Sequence, residues 1–145
     1  PYFIPDGSIM DALRIAVVSG VDVQIMIPDK PDHLFVRSAS LAHIGELLKI
    51  GAKVYEYKKG FIHAKMIIVD YEMASVGTAN LDYRSFRLNF EVNAFLYDEE
   101  TARNLARVFK ADIRNSKLMT IEEFEQRSVL TRFRESIARL LSPIL

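Results

Sequence analysis

Residues 60–70 read GFIHAKMIIVD. The apolar run Met66–Val69 predicts a buried strand. On a strand that also contains His63 and Lys65, these two side chains share one face, because successive side chains alternate. A neutral histidine beside a lysine combines a nucleophile with a cation that can hold an anionic substrate. Taken alone, the pair is more typical of a sheet-edge histidine and a solvated lysine. The flanking sequence is therefore needed to decide between this interpretation and a catalytic site.

The sequence before this stretch predicts alternating helices and strands. Ser8 and Asp11 form a capping box at the start of a first helix, and a second helix is expected from about Leu41 to Ile50. Val21–Ile27 and Lys53–Tyr57 have the pattern of strands in a parallel sheet. This βαβ order predicts an α/β fold with a mixed, largely parallel sheet flanked by helices. Because the chain opens at the end of a strand, the fold is expected to be incomplete at its N-terminus.

The sequence after this stretch continues with short strands and ends in helices. Ala74–Val76 predicts a short strand, and Phe90–Tyr97 alternates as a half-buried strand does. From Glu99 onward the pattern is helical, with a capping box at Thr120–Glu123 and a last amphipathic helix over Val129–Leu141. The chain has no internal repeat or linker, so all 145 residues are predicted to form one domain.

Composition excludes several classes of protein. The 19 basic side chains balance the 19 acidic ones, which argues against nucleic acid as a partner, since domains that bind it by bulk electrostatics are usually basic. The chain has no cysteine, which excludes disulfides and thiolate metal sites. No apolar run is long enough to span a bilayer. His33 and His43 lack metal-ligand spacing, so no metal and no other cofactor is expected.

A glycine turn follows the second short strand. Residues 77–80 read GTAN, in which Thr78 and Asn80 can offer hydroxyl and amide donors to a phosphate without adding charge. The chain thus carries H-x-K-x4-D and, after six further residues, G-[ST]-x-N. This pattern resembles the signature of the phospholipase D superfamily, the HKD motif. Residues 80–91, NLDYRSFRLNFE, and residues 1–6, PYFIPD, are more closely similar to bacterial cardiolipin synthases.

The resemblance implies phosphatidyl transfer through a phosphohistidine intermediate. Two HKD motifs meet at a pseudo-two-fold axis, where one histidine attacks phosphorus and the other protonates the leaving alcohol. By this resemblance His63 is nucleophile or general acid. The non-bridging phosphate oxygens would be held by Lys65, Thr78 and Asn80. Asp70 completes the motif, but its place on the opposite face of the strand predicts a structural ion-pair partner.

Glu91 is a further candidate for the site. A histidine nucleophile needs an acceptor at its other ring nitrogen, which fixes the tautomer and stabilises the imidazolium. Glu91 alternates with the apolar Phe90 and Val92 in the predicted strand after the motif, and similar family members keep an acidic residue there. We therefore expect a hydrogen bond between Glu91 and His63. The alternative is a solvated strand carboxylate.

Arg84 and Arg87 follow the motif closely. They are either solvated charges or part of a basic rim that faces anionic lipid headgroups, and in the second case they bind substrate. The last helix carries arginines against an apolar stripe. Packing of this helix on the sheet is favoured over binding at a membrane interface.

Three functions are compatible with these residues. The resemblance favours the C-terminal, second-motif half of a cardiolipin synthase, whose parent enzyme joins two phosphatidylglycerols into cardiolipin and releases glycerol at the bacterial cell membrane. With one of two motifs, this chain would be soluble and would need an N-terminal half or a second copy of itself. One alternative is a phosphodiesterase or nuclease whose single-motif subunits dimerise. The other is a non-catalytic interaction half.

Overall fold

Short strands and helices alternate along the chain. The computed structural model describes residues 1–30, 34–128 and 131. The strands are β1 (Phe3–Ile4), β2 (Gln24–Pro28), β3 (Lys53–Tyr57), β4 (Met66–Val69), β5 (Met73–Gly77), β6 (Leu81–Asp82), β7 (Asn93–Leu96) and β8 (Ser116–Leu118). The helices are α1 (Gly7–Val18), α2 (Leu34–Lys49), α3 (Tyr83–Arg87), α4 (Glu99–Ile113) and α5 (Ile121–Glu125). The predicted last helix over Val129–Leu141 lies outside the described residues, apart from Thr131.

The strands pair in both directions, which confirms the predicted α/β class with mixed strand pairing. β2 pairs with β3 in parallel, as β1 does with β6. The pairs β3–β8, β4–β5 and β5–β7 are antiparallel. Parallel pairs are thus a minority among the described strands, contrary to the expectation of a largely parallel sheet. One reason is that only three residues connect β4 to β5, which suits a hairpin and is far too short for a parallel crossover.

The core lies where α2 packs against the parallel pair of β2 and β3. Ile44 and Leu47 of α2 and Val54 of β3 are the largest fully buried side chains. Each contributes about 1.5–3 kcal/mol by leaving water. Phe3 of β1 belongs to the same cluster, and its strand pairs with β6. The core therefore holds in place the segment that leads into α3.

Side-chain N-caps mark the beginning of four described helices, α1, α3, α4 and α5. The Asp6 carboxylate accepts a 3.0 Å hydrogen bond from the backbone N–H of Ile9, so Asp6 caps α1 and the predicted box of Ser8 and Asp11 is wrong. The physical reason is that Asp6 has extended backbone directly before the helix, whereas Ser8 already lies within the first turn. Thr120 caps α5, as the sequence predicts.

The sheet of β4, β5 and β7 has one covered face and one open face. Ala74 is completely buried, its register partners Ile68 and Leu96 are half-buried, and α4 packs against β4 and β5. On the opposite face, Ile67 and Phe95 are 45% and 61% exposed. The residues of the H-x-K motif directly precede β4, so they lie at one end of this sheet.

Candidate active site

His63 and Lys65 lie side by side in an extended segment that leads into β4. This segment is not part of the strand, contrary to the prediction, since β4 begins at Met66. The Lys65 Nζ atom lies 2.9 Å from His63 Nδ1 and 3.1 Å from His63 Nε2, so the two side chains do share one side of the chain. An ammonium group can only donate hydrogen bonds, so its position against the ring is more favourable beside a neutral imidazole than beside a charged one. The pair therefore places a cation directly beside the imidazole.

The GTAN turn passes so close to the start of β7 that it must begin with glycine. A Cβ atom at position 77 would lie 2.2 Å from the Val92 carbonyl oxygen and 2.3 Å from Asn93 Oδ1. The Gly77 N–H donates a 3.2 Å hydrogen bond to the Lys65 carbonyl oxygen. The turn is thus tied to Lys65 on one side and packed against the entry to β7 on the other.

The Thr78 hydroxyl anchors this turn. Its Oγ1 accepts a 2.9 Å hydrogen bond from the Val92 N–H, while the Thr78 N–H donates to the Val92 carbonyl oxygen at 3.0 Å. A hydroxyl can accept and donate at the same time. The Thr78 oxygen therefore holds the loop closed while its single proton is directed to the Glu91 carboxylate. The predicted donation to a phosphate oxygen would take the place of that bond.

Asn80 and Glu91 are joined through Ser85, a residue that the sequence analysis missed. The Asn80 N–H donates a 3.1 Å hydrogen bond to Ser85 Oγ, which in turn donates to Glu91 Oε1 at 3.0 Å. Ser85 is fixed because its own N–H donates to the Asp82 carboxylate, the N-cap of α3, at 2.7 Å. Asp82 and Ser85 are both buried. A cap residue followed three positions later by serine is the one sequence signal that could have drawn attention to this pair.

The side-chain amide of Asn80 has a buried oxygen. No donor among the described residues reaches Asn80 Oδ1. Buried polar atoms in native proteins are normally hydrogen-bonded, so this oxygen would be expected to have a donor. A phosphate oxygen is itself an acceptor and cannot be that donor, so the predicted contact with phosphate falls to the Asn80 Nδ2 group.

The Glu91 carboxylate is half-buried and is hydrogen-bonded within its own loop. Its Oε1 accepts from Ser85 Oγ at 3.0 Å and from Asn89 Nδ2 at 3.2 Å. The predicted hydrogen bond with His63 is not formed, and the His63 ring contacts Lys65 instead. The carboxylate is held instead by side chains of its own surroundings, Thr78, Asn89 and Ser85.

Glu91 is nevertheless coupled to the His63–Lys65 pair by charge. Hydrogen bonding from the Thr78 hydroxyl, and next from the Asn89 amide, lowers the pKa of Glu91, and the nearby Lys65 ammonium lowers it further. The side chain is therefore an ionised carboxylate within electrostatic range of the cation that contacts His63.

Asn93, the first residue of β7, clamps the turn and was also missed. Its Oδ1 accepts a 3.2 Å hydrogen bond from the Ala79 N–H, and its Nδ2 donates to Ser75 Oγ at 3.0 Å. Ser75 is buried. The available signal was that Asn93 follows Glu91 by two positions, so that both project from the same side of an extended segment.

Asp70 lies at the far end of β4 from His63. Asp70 and Tyr71 have φ angles of 49° and 61°, the left-handed conformation that tight hairpin turns use. At ~3.3 Å per residue, Asp70 is about 16 Å along the strand from Lys65. None of the ion pairs that the described residues form includes Asp70, so the predicted ion pair is not found. Aspartate tolerates the left-handed conformation, and this turn is its structural role.

Arg84 and Arg87 are exposed on α3. The Arg87 guanidinium forms a 3.3 Å ion pair with Asp6, which connects α3 to the cap of α1. The pKa of Asp6 is lowered, mainly by the hydrogen bond from the Ile9 N–H and also by Arg87. In the described part of the chain no carboxylate pairs with Arg84.

The described residues form neither a cluster of metal ligands nor a membrane-spanning helix. Within residues 1–30, 34–128 and 131, no three histidine, aspartate or glutamate side chains come together as a metal site would need. His33 lies outside these ranges. Over the same ranges, no helix combines the length and the apolar character needed to cross a membrane.

Family membership follows from comparison with known proteins. The family model described as cardiolipin synthase, PLD-like domain, matches residues 1–113. The chain belongs to this family. The major cardiolipin synthase ClsA of Bacillus subtilis is 63% identical to it over 145 residues, and the cardiolipin synthases of Oceanobacillus iheyensis and Listeria monocytogenes are 59% and 55% identical. The chain covers 30% of the length of each of these relatives.

Two solved structures have a similar fold. The phospholipase D family member Nuc from Salmonella typhimurium superposes with a TM-score of 0.69 at 22% identity, over 82% of this chain and 78% of that one. The phosphatidylserine synthase of Haemophilus influenzae superposes with a TM-score of 0.73 at 20% identity, over 100% of this chain and 40% of that one. At these identities the likeness concerns the fold alone, and it confirms the predicted phospholipase D-like architecture.

Proposed function

We propose that this chain supplies one of the two histidines of a cardiolipin synthase that transfers phosphatidyl groups between phosphatidylglycerol molecules. The observation that carries the proposal is the contact of the Lys65 ammonium with the His63 ring at 2.9 Å, next to a turn that is hydrogen-bonded to Lys65. A phosphodiester is attacked by an unprotonated nitrogen and bound by a nearby cation, and this pair provides both.

The reaction proceeds in two displacements at phosphorus. An unprotonated nitrogen of His63 attacks the phosphorus of phosphatidylglycerol and forms a phosphorus–nitrogen bond. The bond from phosphorus to the glycerol oxygen breaks, and glycerol leaves with a proton from the histidine of the second motif. A hydroxyl of another phosphatidylglycerol then returns a proton to that histidine and attacks phosphorus. The phosphorus–nitrogen bond breaks, cardiolipin forms and His63 is regenerated. The two histidines can also exchange these roles.

The other candidate residues act around the phosphate. Lys65 balances the charge of the non-bridging oxygens, while the Asn80 amide and the Thr78 hydroxyl donate to them as charge moves in the transition state. Glu91, ionised and close to Lys65, stabilises the positive charge that His63 acquires. Arg84 on α3 binds the anionic headgroup at the rim, with Arg87 beside it.

The proposed partner is a second phospholipase D-like unit that brings the other motif. This chain has one H-x-K-x4-D pattern and covers 30% of the length of its relatives. The open face of the β4–β5–β7 sheet exposes Ile67 and Phe95, which suits a partner surface. The substrate is a lipid, so the assembled enzyme works at a membrane surface.

The proposal is tested in a chimera in which this chain replaces the matching segment of the Bacillus subtilis relative. With phosphatidylglycerol labelled in its headgroup, the chimera is expected to form cardiolipin and to release labelled glycerol. The His63→Ala substitution should reduce the rate at least about 1,000-fold, because a nucleophile or its acid is lost. Lys117→Met, which removes an exposed lysine paired with Glu123, serves as the matched control and should leave the rate unchanged.

Two results would contradict the proposal. Undiminished cardiolipin synthesis by the His63→Ala chimera would identify the chain as a non-catalytic interaction half. Cleavage of DNA by the purified chain, abolished by His63→Ala, would instead favour a dimeric phosphodiesterase. The zero net charge of the chain argues against that second result.

A further inference from the structure

The Ser85 side chain is hydrogen-bonded to two of the candidate site residues. Its Oγ accepts a hydrogen bond from the Asn80 N–H at 3.1 Å and donates one to Glu91 Oε1 at 3.0 Å. A single hydroxyl can make both bonds at once, since it has one proton and two lone pairs. The side chain is 6% exposed, and the Asp82 carboxylate fixes its backbone N–H at 2.7 Å. Solvent therefore competes little for this pair of bonds.

We propose that Ser85 is a positioning residue that couples the phosphate-binding Asn80 to the carboxylate of Glu91. This inference rests on the proposed function, because Asn80 and Glu91 have site roles only in that reaction. Ser85 itself is not assigned any contact with substrate. Ser85 fixes the position of the GTAN turn relative to the Glu91 carboxylate. The donors to phosphate and the charge that stabilises the histidine therefore keep one geometry.

Two other side chains hold Glu91, but neither of them accepts the Asn80 N–H. Thr78 of the turn donates to the carboxylate, and Asn89 Nδ2 donates to Oε1 at 3.2 Å from an exposed side chain. Only Ser85 is bonded both to the Asn80 backbone and to the carboxylate among the described residues. A buried donor that is itself held by backbone orients its partner more strictly than an exposed side chain does. Removing the Ser85 hydroxyl also leaves the half-buried Asn80 N–H without its acceptor, which carries a desolvation cost.

The first test uses nuclear magnetic resonance on this chain alone. Ser85→Ala is expected to raise the pKa of Glu91 toward its ordinary value of 4.5, because one of its donors is lost. The same substitution should speed hydrogen exchange at the Asn80 amide. Ser85→Cys, which keeps the size of the side chain but is a weak donor, should change both quantities in the same direction, and it serves if the alanine variant does not fold.

Ser40→Ala is the matched control for these measurements. Ser40 is 4% exposed, and its hydroxyl accepts one backbone hydrogen bond, from Phe3 at 3.3 Å, without any contact to a carboxylate. Its loss should leave both the Glu91 pKa and the Asn80 exchange rate unchanged. An unaltered Glu91 pKa in both Ser85 variants would overturn the inference.

The second test separates positioning from a merely structural role. In the chimera, Ser85→Ala should lower kcat about tenfold, as expected for a lost hydrogen bond to a charged group. If Ser85 acts through Glu91, adding Ser85→Ala to Glu91→Gln causes no further loss, whereas additive losses would overturn the coupling. A chimera that makes no cardiolipin would contradict the proposed function. The Glu91 pKa and the Asn80 exchange rate, measured on the chain alone, would still decide the role of Ser85.

Discussion

The surroundings of the Glu91 carboxylate favour its charged form. Donors from Thr78 and Asn89, together with the Lys65 charge, lower its pKa below the ordinary value of 4.5. A depressed pKa contributes stability that is present above the unfolded value and is lost as the pH falls through the folded one. We predict that Glu91→Gln lowers the free energy of unfolding at neutral pH, and that its difference from wild type narrows in acid. Urea unfolding of both proteins at about pH 7 and about pH 3.5 measures this change.

The control for this prediction is Glu72→Gln. Glu72 is exposed in the connection between β4 and β5, and no ion pair of the described residues includes it. Its variant should resemble wild type at both pH values. If the Glu91→Gln difference were the same in acid as at neutral pH, the charge of Glu91 would not be the source of its stabilising effect.

Single residues were predictable where the argument was local. The proximity of His63 and Lys65 follows from alternation over two positions, and the structure confirms it at 2.9 Å. The hydrogen-bond partner of Glu91 could not be predicted in this way. The hydroxyl that binds Glu91 lies on α3, and only the path of the loop after α3 brings the two side chains together. A sequence pattern can indicate that a carboxylate belongs to the site, but it does not identify the donor that binds the carboxylate.

At the scale of elements, Gly77 determines how β5 leads into the GTAN turn. A Cβ there would meet the Val92 carbonyl oxygen at 2.2 Å, and backbone cannot move aside as a flexible side chain can. We predict that Gly77→Ala destabilises the chain by about 1–3 kcal/mol, the range for overpacking. The same change should disrupt the hydrogen bond between the Gly77 N–H and Lys65, which hydrogen exchange at residue 77 reports.

Gly7→Ala is the matched control for this substitution. A Cβ at Gly7 meets nothing within 4 Å, and the position is the first of α1. Its stability should equal or slightly exceed that of wild type, since alanine restricts the unfolded chain. If Gly77→Ala proved equally harmless, the close approach of the turn to β7 would not be required for folding.

Elements were predictable in proportion to how much they depend on nearby sequence. The bounds of β3 match the predicted range Lys53–Tyr57, and β4 coincides with the apolar run Met66–Val69 but leaves out the motif residues that were expected to extend it. The pairing of β1 with β6 joins residues 3–4 to residues 81–82, and two-residue strands leave no periodic pattern to recognise. The cap of α1 was misplaced for a related reason: Asp6 and Ser8 both suit a cap, and the backbone around Pro5 decides between them.

For the whole molecule, the governing fact is that one H-x-K motif provides one histidine. A displacement at phosphorus needs a nucleophile and an acid for the leaving alcohol, and in the proposed step His63 can fill one of these roles at a time. We predict that the isolated chain, kept monomeric as checked by light scattering, forms no cardiolipin from phosphatidylglycerol vesicles. Adding a polypeptide with the remaining part of the Bacillus subtilis relative should restore activity, and the His63→Ala chain should not. Transfer by a strictly monomeric sample would show that a second motif is unnecessary, and the half-site interpretation would have to be abandoned.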